Sequence, residues 1–276
     1  LTSRAAHADA LHQAGKSIAA MALFSEAEAM QANMQPDYPL LYSIGGFHYS
    51  DLLLAAPEAV AWQYSAKDYS GLLGIGREIP SANTAVQSTN MTDAPPGSVQ
   101  GDVVRQIQTC NMVSQRAAQT LAWSEQHNID ILSIALDQLT LGRAALFATI
   151  LANRPPDPCQ TSLQQAVADL RRAGYMGYLL RGLLTRAWLF AHTAHHIGPD
   201  SAQADLDEAW EIAEAGPMPL FMADIHLHRA GLFHQTTPYP WQSPAVDVQA
   251  ARCLIEKHGY LRRMADLVAV EQAIGI

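Results

Sequence analysis

The fold is decided by residues 141–259, in which one short pattern occurs three times: "LGRA" at 141–144, "LTRA" at 184–187 and "LHRA" at 227–230. The copies are 43 residues apart. A second helical pattern follows each copy, and the three units end at Gly174, Gly216 and Gly259. A fixed period of about 20–50 residues with two helices per period predicts a stacked helical repeat, because a single helix pair cannot bury both of its apolar faces.

The N-terminal segment extends this prediction to the start of the chain. Residues 3–34 fit a helix pair broken at Gly15. The small, aromatic and proline positions of the tetratricopeptide pattern are occupied by Ala8, Ala20, Phe24, Ala27 and Pro36. Residues 38–54 provide a further first helix. Its Gly45 and Gly46 each cost about 1 kcal/mol relative to alanine, so we predict that another helix approaches closely there.

The predicted fold is therefore all-α: a right-handed superhelix of about five to six helix pairs, with residues 1–276 forming one domain. The period fails at 56–101, a segment rich in Gly, Pro, Ser, Asn and Thr. We predict an irregular insertion there, with a short helix at Pro57–Tyr69 and then a surface loop at 71–98. The other predicted helices span 102–127, 129–152, 158–173, 176–196, 199–215, 218–235, 244–258 and 261–274.

The composition limits the classes of function. The formal net charge is −9 and no run of Lys or Arg offsets it, which argues against a nucleic-acid or anionic-membrane surface. The three cysteines follow no metal or disulfide spacing and favour a reducing compartment. There is no signal peptide and no long apolar run, so we expect a cytoplasmic protein. Because the chain opens with Leu1 and almost at once with a helix pattern, we also expect a fragment of a larger protein.

Several segments of the repeat region resemble a known family. They are "RGLLTRAWL", "ADLDEAWEIAEAG", "MPLFMADIHLHRAGLF" and "IEKHGY". They look like the C-terminal tetratricopeptide region of bacterial signalling ATPases of the NACHT or STAND type. The resemblance implies a sensor or interaction domain with a protein or peptide partner, and an ATPase domain upstream of this chain. No ATPase residues are present here.

Weak motif matches do not support catalysis or a cofactor. Residues 10–17, "ALHQAGKS", fit a loose phosphate-loop pattern, but such a loop follows a strand, whereas here a helix pattern precedes it. His192 and His234 fall at similar heights on neighbouring predicted helices, yet zinc needs a third or fourth ligand. No nucleophile motif such as GxSxG occurs. We therefore predict no bound nucleotide, metal or other cofactor, and no enzyme.

The most specific candidate site is the arginine row, defined as Arg143, Arg186 and Arg229, which recur at one position of three successive first helices. In one interpretation each arginine packs between helices and pairs with an acid of the neighbouring unit. In the other, the guanidinium groups hold an acidic peptide in a groove. We favour packing, because the alanine after each arginine is typical of a helix contact. Trp188 either projects into the groove as a peptide contact or fills the space left by Gly231.

The sequence leaves three functions open. We expect a protein- or peptide-binding scaffold, the sensor or interaction domain of a bacterial signalling protein, with no nucleic-acid or membrane partner. The alternative is an all-α protein that binds a small molecule or metal, or acts as an enzyme, in the concave groove. The third is a structural spacer, which a groove filled by side chains would support.

Overall fold

The computed structural model is built of α-helices. It describes residues 2–72, 99–127 and 129–276, which contain eleven α-helices, one 3₁₀ turn and no strand. The helices are α1 (Thr2–Gln13), α2 (Ser17–Met34), α3 (Ser43–Leu72), α4 (Val99–Gln126), α5 (Ile131–Leu151), α6 (Asp157–Ala173), α7 (Met176–His192), α8 (Ala202–Ala215), α9 (Pro219–Phe233), α10 (Pro244–His258) and α11 (Met264–Ile274), with the 3₁₀ turn at Leu261–Arg263. The predicted all-α class is confirmed.

Local chemistry explains where several helices begin and end. Ser201 and Ser243 accept hydrogen bonds from the backbone N–H groups of Ala204 and Val246, which caps α8 and α10. Gly15 has φ 74° in the turn between α1 and α2, a conformation that favours glycine. The phosphate-loop match therefore spans a helix, a turn and a second helix, as the sequence predicted.

The long helix α3 corrects one prediction. The helix expected at Pro57–Tyr69 is present, but it is the continuation of α3 to Leu72 rather than a separate short helix, and α4 begins at Val99 instead of 102. A proline inside a helix removes one hydrogen bond. Here α3 packs against α1, α2, α4, α5, α9 and α11, and this packing offsets the loss. The rest of the predicted loop, 73–98, lies outside the described residues.

The odd-numbered helices form an inner row. Each contacts the next, from α1 through α3, α5, α7 and α9 to α11, while each even-numbered helix packs against its neighbours along the chain. Helix α3 also contacts α9 and α11, and α1 contacts the 3₁₀ turn. The first helices of the inner row, α1 and α3, therefore meet its last helices, α9 and α11, and the 3₁₀ turn. Side chains from both ends fill the space in which the sequence analysis expected a groove.

Helix α5 lies within this packing. By length and composition, it is the one described helix that could cross a membrane. Of its apolar window, 72% is buried against other parts of the protein, as in the core helix of a packed domain.

The alanines of the repeated pattern are packing positions. Ala144, Ala187 and Ala230 are fully buried, as the 43-residue period predicted. Replacing Ala187 with leucine should lower the free energy of unfolding by about 1–3 kcal/mol, because the larger side chain must enter a filled contact. Urea unfolding followed by circular dichroism measures this loss. The exposed Ala19 gives the control variant Ala19→Leu, and equal urea midpoints for the two variants would contradict the assigned packing.

Candidate functional site

A network of buried charges lies inside the inner row. This ion network consists of Asp51, Glu58, Arg143, Arg181, Asp224, Arg262, Arg263 and Asp266. Its members come from α3, α5, α7, α9, the 3₁₀ turn and α11. Four carboxylates face four guanidinium groups, so their formal charges cancel. The sequence analysis missed the network because some partners are more than 200 residues apart along the chain.

Asp51 is the centre of one end of the network. Its carboxylate lies 2.8 Å from Arg143 and 3.4 Å from Arg181, and it also pairs with Arg262. Burial pushes the pKa of Asp51 upward, but the guanidinium groups of Arg181, Arg262 and Arg143 outweigh burial and hold that pKa well below its usual value. Asp51 is therefore ionised, and it ties α5, α7 and the 3₁₀ turn to α3.

Arg263 organises the other end. It donates to Glu58 and Asp224, each at 2.7 Å, and to Asp266 at 2.8 Å. Tyr260 donates a further hydrogen bond to Asp224 at 3.0 Å. Burial disfavours ionised Glu58, but Arg263 and two other arginines outweigh it and lower the pKa of Glu58 to about 2. For Asp266 the effect of burial is larger than that of Arg263, and its pKa rises to about 6.

The members of the arginine row have different surroundings. Arg143 belongs to the ion network. Arg186 donates two hydrogen bonds to Asp205 of α8, at 2.8 and 2.6 Å. Arg229 lies over the rings of Trp210 and Trp241, with its guanidinium carbon 4.7 and 4.6 Å from the ring centres. Each guanidinium group is thus engaged by its own partners, an arrangement that agrees with the packing interpretation.

Trp188 is a core residue. It is 1% exposed, its ring stacks on Trp62 at 4.1 Å, and its Nε1 donates to Ser65 at 3.0 Å. The space beside Gly231 is filled by Trp62 rather than by Trp188, because a Cβ atom at Gly231 would lie 2.6 Å from the Trp62 ring. The sequence analysis therefore assigned that contact to the wrong tryptophan. Neither ring reaches an open groove.

An open cleft borders the ion network. This aromatic cleft has a volume of about 340 Å³ and lies between α1, α3, the first turns of α7 and α9, and the residue before the 3₁₀ turn. Its walls include Asp9, His48, Tyr178, Arg181, Phe221 and Tyr260. Arg181 belongs to both the network and the cleft. These walls come from separate segments of the chain, and no repeat pattern connects all of them.

Polar contacts give the cleft its electrostatic character. Asp9 accepts a hydrogen bond from Gln13 at 2.8 Å and lies 3.7 Å from Nδ1 of His48. The hydroxyl of Tyr178 lies 3.4 Å from Nε2 of the same histidine. Burial lowers the pKa of His48 in spite of the neighbouring Asp9, so the imidazole is neutral at pH 7. The cleft consequently carries one negative group, Asp9, and one positive group, Arg181.

The histidines considered as metal ligands lie elsewhere. Nδ1 of His234 is 3.1 Å from the carbonyl oxygen of Gly231. Within the described ranges, no group of three or more His, Cys, Asp or Glu side chains is arranged to hold a metal ion.

Comparisons with protein-family models, curated protein sequences and solved structures were made for the whole chain. None gives a match. The resemblance to the repeat region of NACHT- and STAND-type proteins therefore stays a prediction from the quoted segments.

Asp137, buried between α4 and α5, gives a pH prediction. It accepts a hydrogen bond from Thr120 at 2.7 Å, and burial raises its pKa from 3.8 to about 7 although this hydrogen bond opposes the rise. The folded chain thus binds this proton more tightly than the unfolded chain, so Asp137 lowers stability as the pH rises from about 4 to about 7.

The variant Asp137→Asn should be more stable than the parent at pH 8 by about 1–3 kcal/mol, because it removes a buried charge without a cationic partner. The advantage should shrink as the pH falls to about 4 and below, because Asp137 then becomes neutral in both states. Urea unfolding of both proteins across this range measures the difference. A difference that does not vary with pH would show that Asp137 is not the titrating group.

Proposed function

We propose that the chain is a ligand-binding helical-repeat domain and that its aromatic cleft holds a small molecule. The volume of about 340 Å³ carries this proposal, since small-molecule sites are concave spaces of about 300–1,000 Å³ with apolar walls and a few fixed polar groups. The cleft has apolar walls from Tyr178, Leu220 and Phe221 and polar groups from Asp9 and Arg181.

The peptide-binding function favoured by the sequence required a long open groove along the first helices. The inner row instead meets at its ends, and the ion network and two stacked tryptophans fill the space between. The concave spaces that remain are separate cavities rather than one long groove, among them the aromatic cleft and a cavity of about 330 Å³ beside α1 and the start of α3. The filled interior also supports the structural spacer, and it is the open aromatic cleft that favours the small-molecule alternative over a spacer.

A protein or peptide partner is the second candidate, and the rim of the cleft supports it. Tyr175 and Met176 stand at the rim and are 54% and 42% exposed. Exposed large apolar side chains beside a concave site are typical contact residues of interfaces. In this version the cleft would take one side chain of the partner, and the rim would contact its neighbours.

The wider context is also a proposal. The inner row, the even-numbered helices packed against it and the 43-residue period support a tetratricopeptide-like right-handed superhelix. The resemblance of the quoted segments supports a sensor role in a cytoplasmic bacterial signalling protein with an upstream ATPase domain. The net charge of −9 supports partners other than nucleic acid or anionic membrane.

A thermal-shift screen of a metabolite library tests the small-molecule function. A ligand at about 100 times its Kd stabilises the folded state by about 2.7 kcal/mol, which corresponds to a Tm increase of about 5–10 °C for a domain of this size. We expect at least one compound to give such an increase.

Two variants at one position locate the binding. Gly177 lines the cleft, and a Cβ atom there would lie 3.6 Å from the Phe221 ring, an ordinary contact. Gly177→Phe should fill the cleft and abolish the Tm increase, while Gly177→Ala should keep it. The proposal fails if no compound stabilises the parent, or if Gly177→Phe responds like Gly177→Ala. A displayed peptide library on the same three proteins tests the second candidate.

A further inference from the structure

We infer that the aromatic cleft binds a free α-amino acid with an apolar or aromatic side chain. The inference rests on the proposed small-molecule function and names its ligand class. It follows from three features of one cavity: a guanidinium group that pairs with Asp51 through one nitrogen only, a carboxylate on another wall, and aromatic side chains around them.

Arg181 provides the site for a carboxylate. Its side chain is 15% exposed, and it reaches Asp51 only through Nη1, at 3.4 Å. Asp51 is shared with Arg143 and Arg262, which hold it more closely. The remaining N–H groups of Arg181 can therefore donate into the cleft, and a guanidinium group binds a carboxylate through two parallel hydrogen bonds.

Asp9 provides the site for an ammonium group. Its side chain is 22% exposed on α1, and His48 beside it is neutral, so the negative charge is not cancelled. Gln13 lies on the same wall, and its Oε1 is buried without a hydrogen-bond partner in the described part of the chain. A ligand ammonium group would pair with the exposed part of the Asp9 carboxylate.

The two charges are separate but close enough to share neighbours. Asp9 and Arg181, both within the described residues, form no ion pair with each other. Both nevertheless act electrostatically on His48 and on Tyr178. A zwitterion placed between them can pair with both groups at once, whereas a ligand with a single charge leaves either Asp9 or the remaining N–H donors of Arg181 without a ligand partner.

The walls select the rest of the ligand. Tyr178 and Phe221 present rings, and Met176 and Leu220 add apolar surface. A volume of about 340 Å³ is near the lower limit for small-molecule sites, which suits one amino acid better than a longer chain. The inferred order is thus carboxylate at Arg181, ammonium at Asp9 and side chain against the rings.

Isothermal titration calorimetry with matched compounds tests this inference. The amino acid probes are L-phenylalanine, L-tyrosine, L-tryptophan, L-leucine and glycine. For L-phenylalanine, 3-phenylpropionate lacks the ammonium group and 2-phenylethylamine lacks the carboxylate. We expect at least one of the four larger amino acids to bind. Glycine and both truncated compounds should bind at least tenfold more weakly. All of these titrations use the unmodified chain.

A variant then assigns the ammonium site. Asp9→Asn should weaken binding of the preferred amino acid at least tenfold, but it should not weaken binding of 3-phenylpropionate, which has no ammonium group. The same substitution at the exposed Asp37, Asp37→Asn, should change neither. Equal binding of L-phenylalanine and 3-phenylpropionate, or an Asp9→Asn variant with unchanged affinity, would overturn the inference. If the metabolite screen yields a cleft ligand while no amino acid binds, the inference fails and the proposed function stands. If nothing binds at all, both fail.

Discussion

Asp51→Ala should lower the free energy of unfolding by about 3–5 kcal/mol, the usual cost of removing one partner from a buried ion pair. The variant leaves Arg143, Arg181 and Arg262 around a site without its carboxylate, and Arg143 and Arg262 are almost fully buried. Glu58 contacts two of them at longer distances, 3.3 and 3.5 Å, and cannot replace the lost charge. A loss of this size is a large part of the about 5–15 kcal/mol that stabilises a typical domain.

Chemical unfolding of the parent, Asp51→Ala and the surface control Asp37→Ala measures this effect. The control should differ from the parent by less than about 0.5 kcal/mol, as expected for an exposed side chain. If Asp51→Ala is as stable as the control, the ion network does not hold the ends of the inner row together.

Trp188→Ala should cost about 3–5 kcal/mol, because it deletes a fully buried aromatic side chain. The change removes the stacking on Trp62 and the hydrogen bond to Ser65, and it opens a cavity beside Phe147. Trp188→Phe keeps an aromatic ring but not the Nε1 donor, so it should cost clearly less.

The measurement is again urea unfolding, with binding of the best ligand from the metabolite screen as a second readout. Trp188 does not line the aromatic cleft. Any Trp188→Ala protein that remains folded should therefore bind that ligand with nearly the parent affinity. A stable variant that has lost binding would place Trp188 in the binding site and contradict its assignment to the core.

The two predictions concern parts of the molecule that support the cleft in different ways. Asp51 of the ion network pairs with Arg181, and Trp188 of the tryptophan pair lies near Arg181 in the interior. Binding groups act best when neighbouring side chains fix their positions. If the cleft binds a ligand as proposed, the buried charges also orient its cationic group, Arg181.

Contacts that repeat along the chain were predictable from the sequence. The 43-residue period located Ala144, Ala187 and Ala230 as buried positions, and the helix predicted at 244–258 coincides with α10. These features depend on residues close in sequence or on a translation from one unit to the next. A pattern analysis detects both kinds of relation.

Contacts between the ends of the array were not predictable in this way. Asp51 meets Arg262 and Trp62 meets Gly231 across the interior, and no period relates these pairs. The continuation of α3 through Pro57 also depends on packing against α9 and α11, which overrides the local preference of proline. The aromatic cleft follows from the same closure, because its walls come from five separate segments.

Hydrogen–deuterium exchange on the unmodified chain tests the central claim most directly. The compound that raises the Tm most in the metabolite screen is added at saturation, and exchange is compared with the ligand-free protein. We predict slower exchange at residues 175–181 and 218–222, the first turns of α7 and α9 that line the cleft, and unchanged exchange along α10. Protection confined to other regions, with the first turns of α7 and α9 unaffected, would contradict the assignment of the aromatic cleft as the binding site.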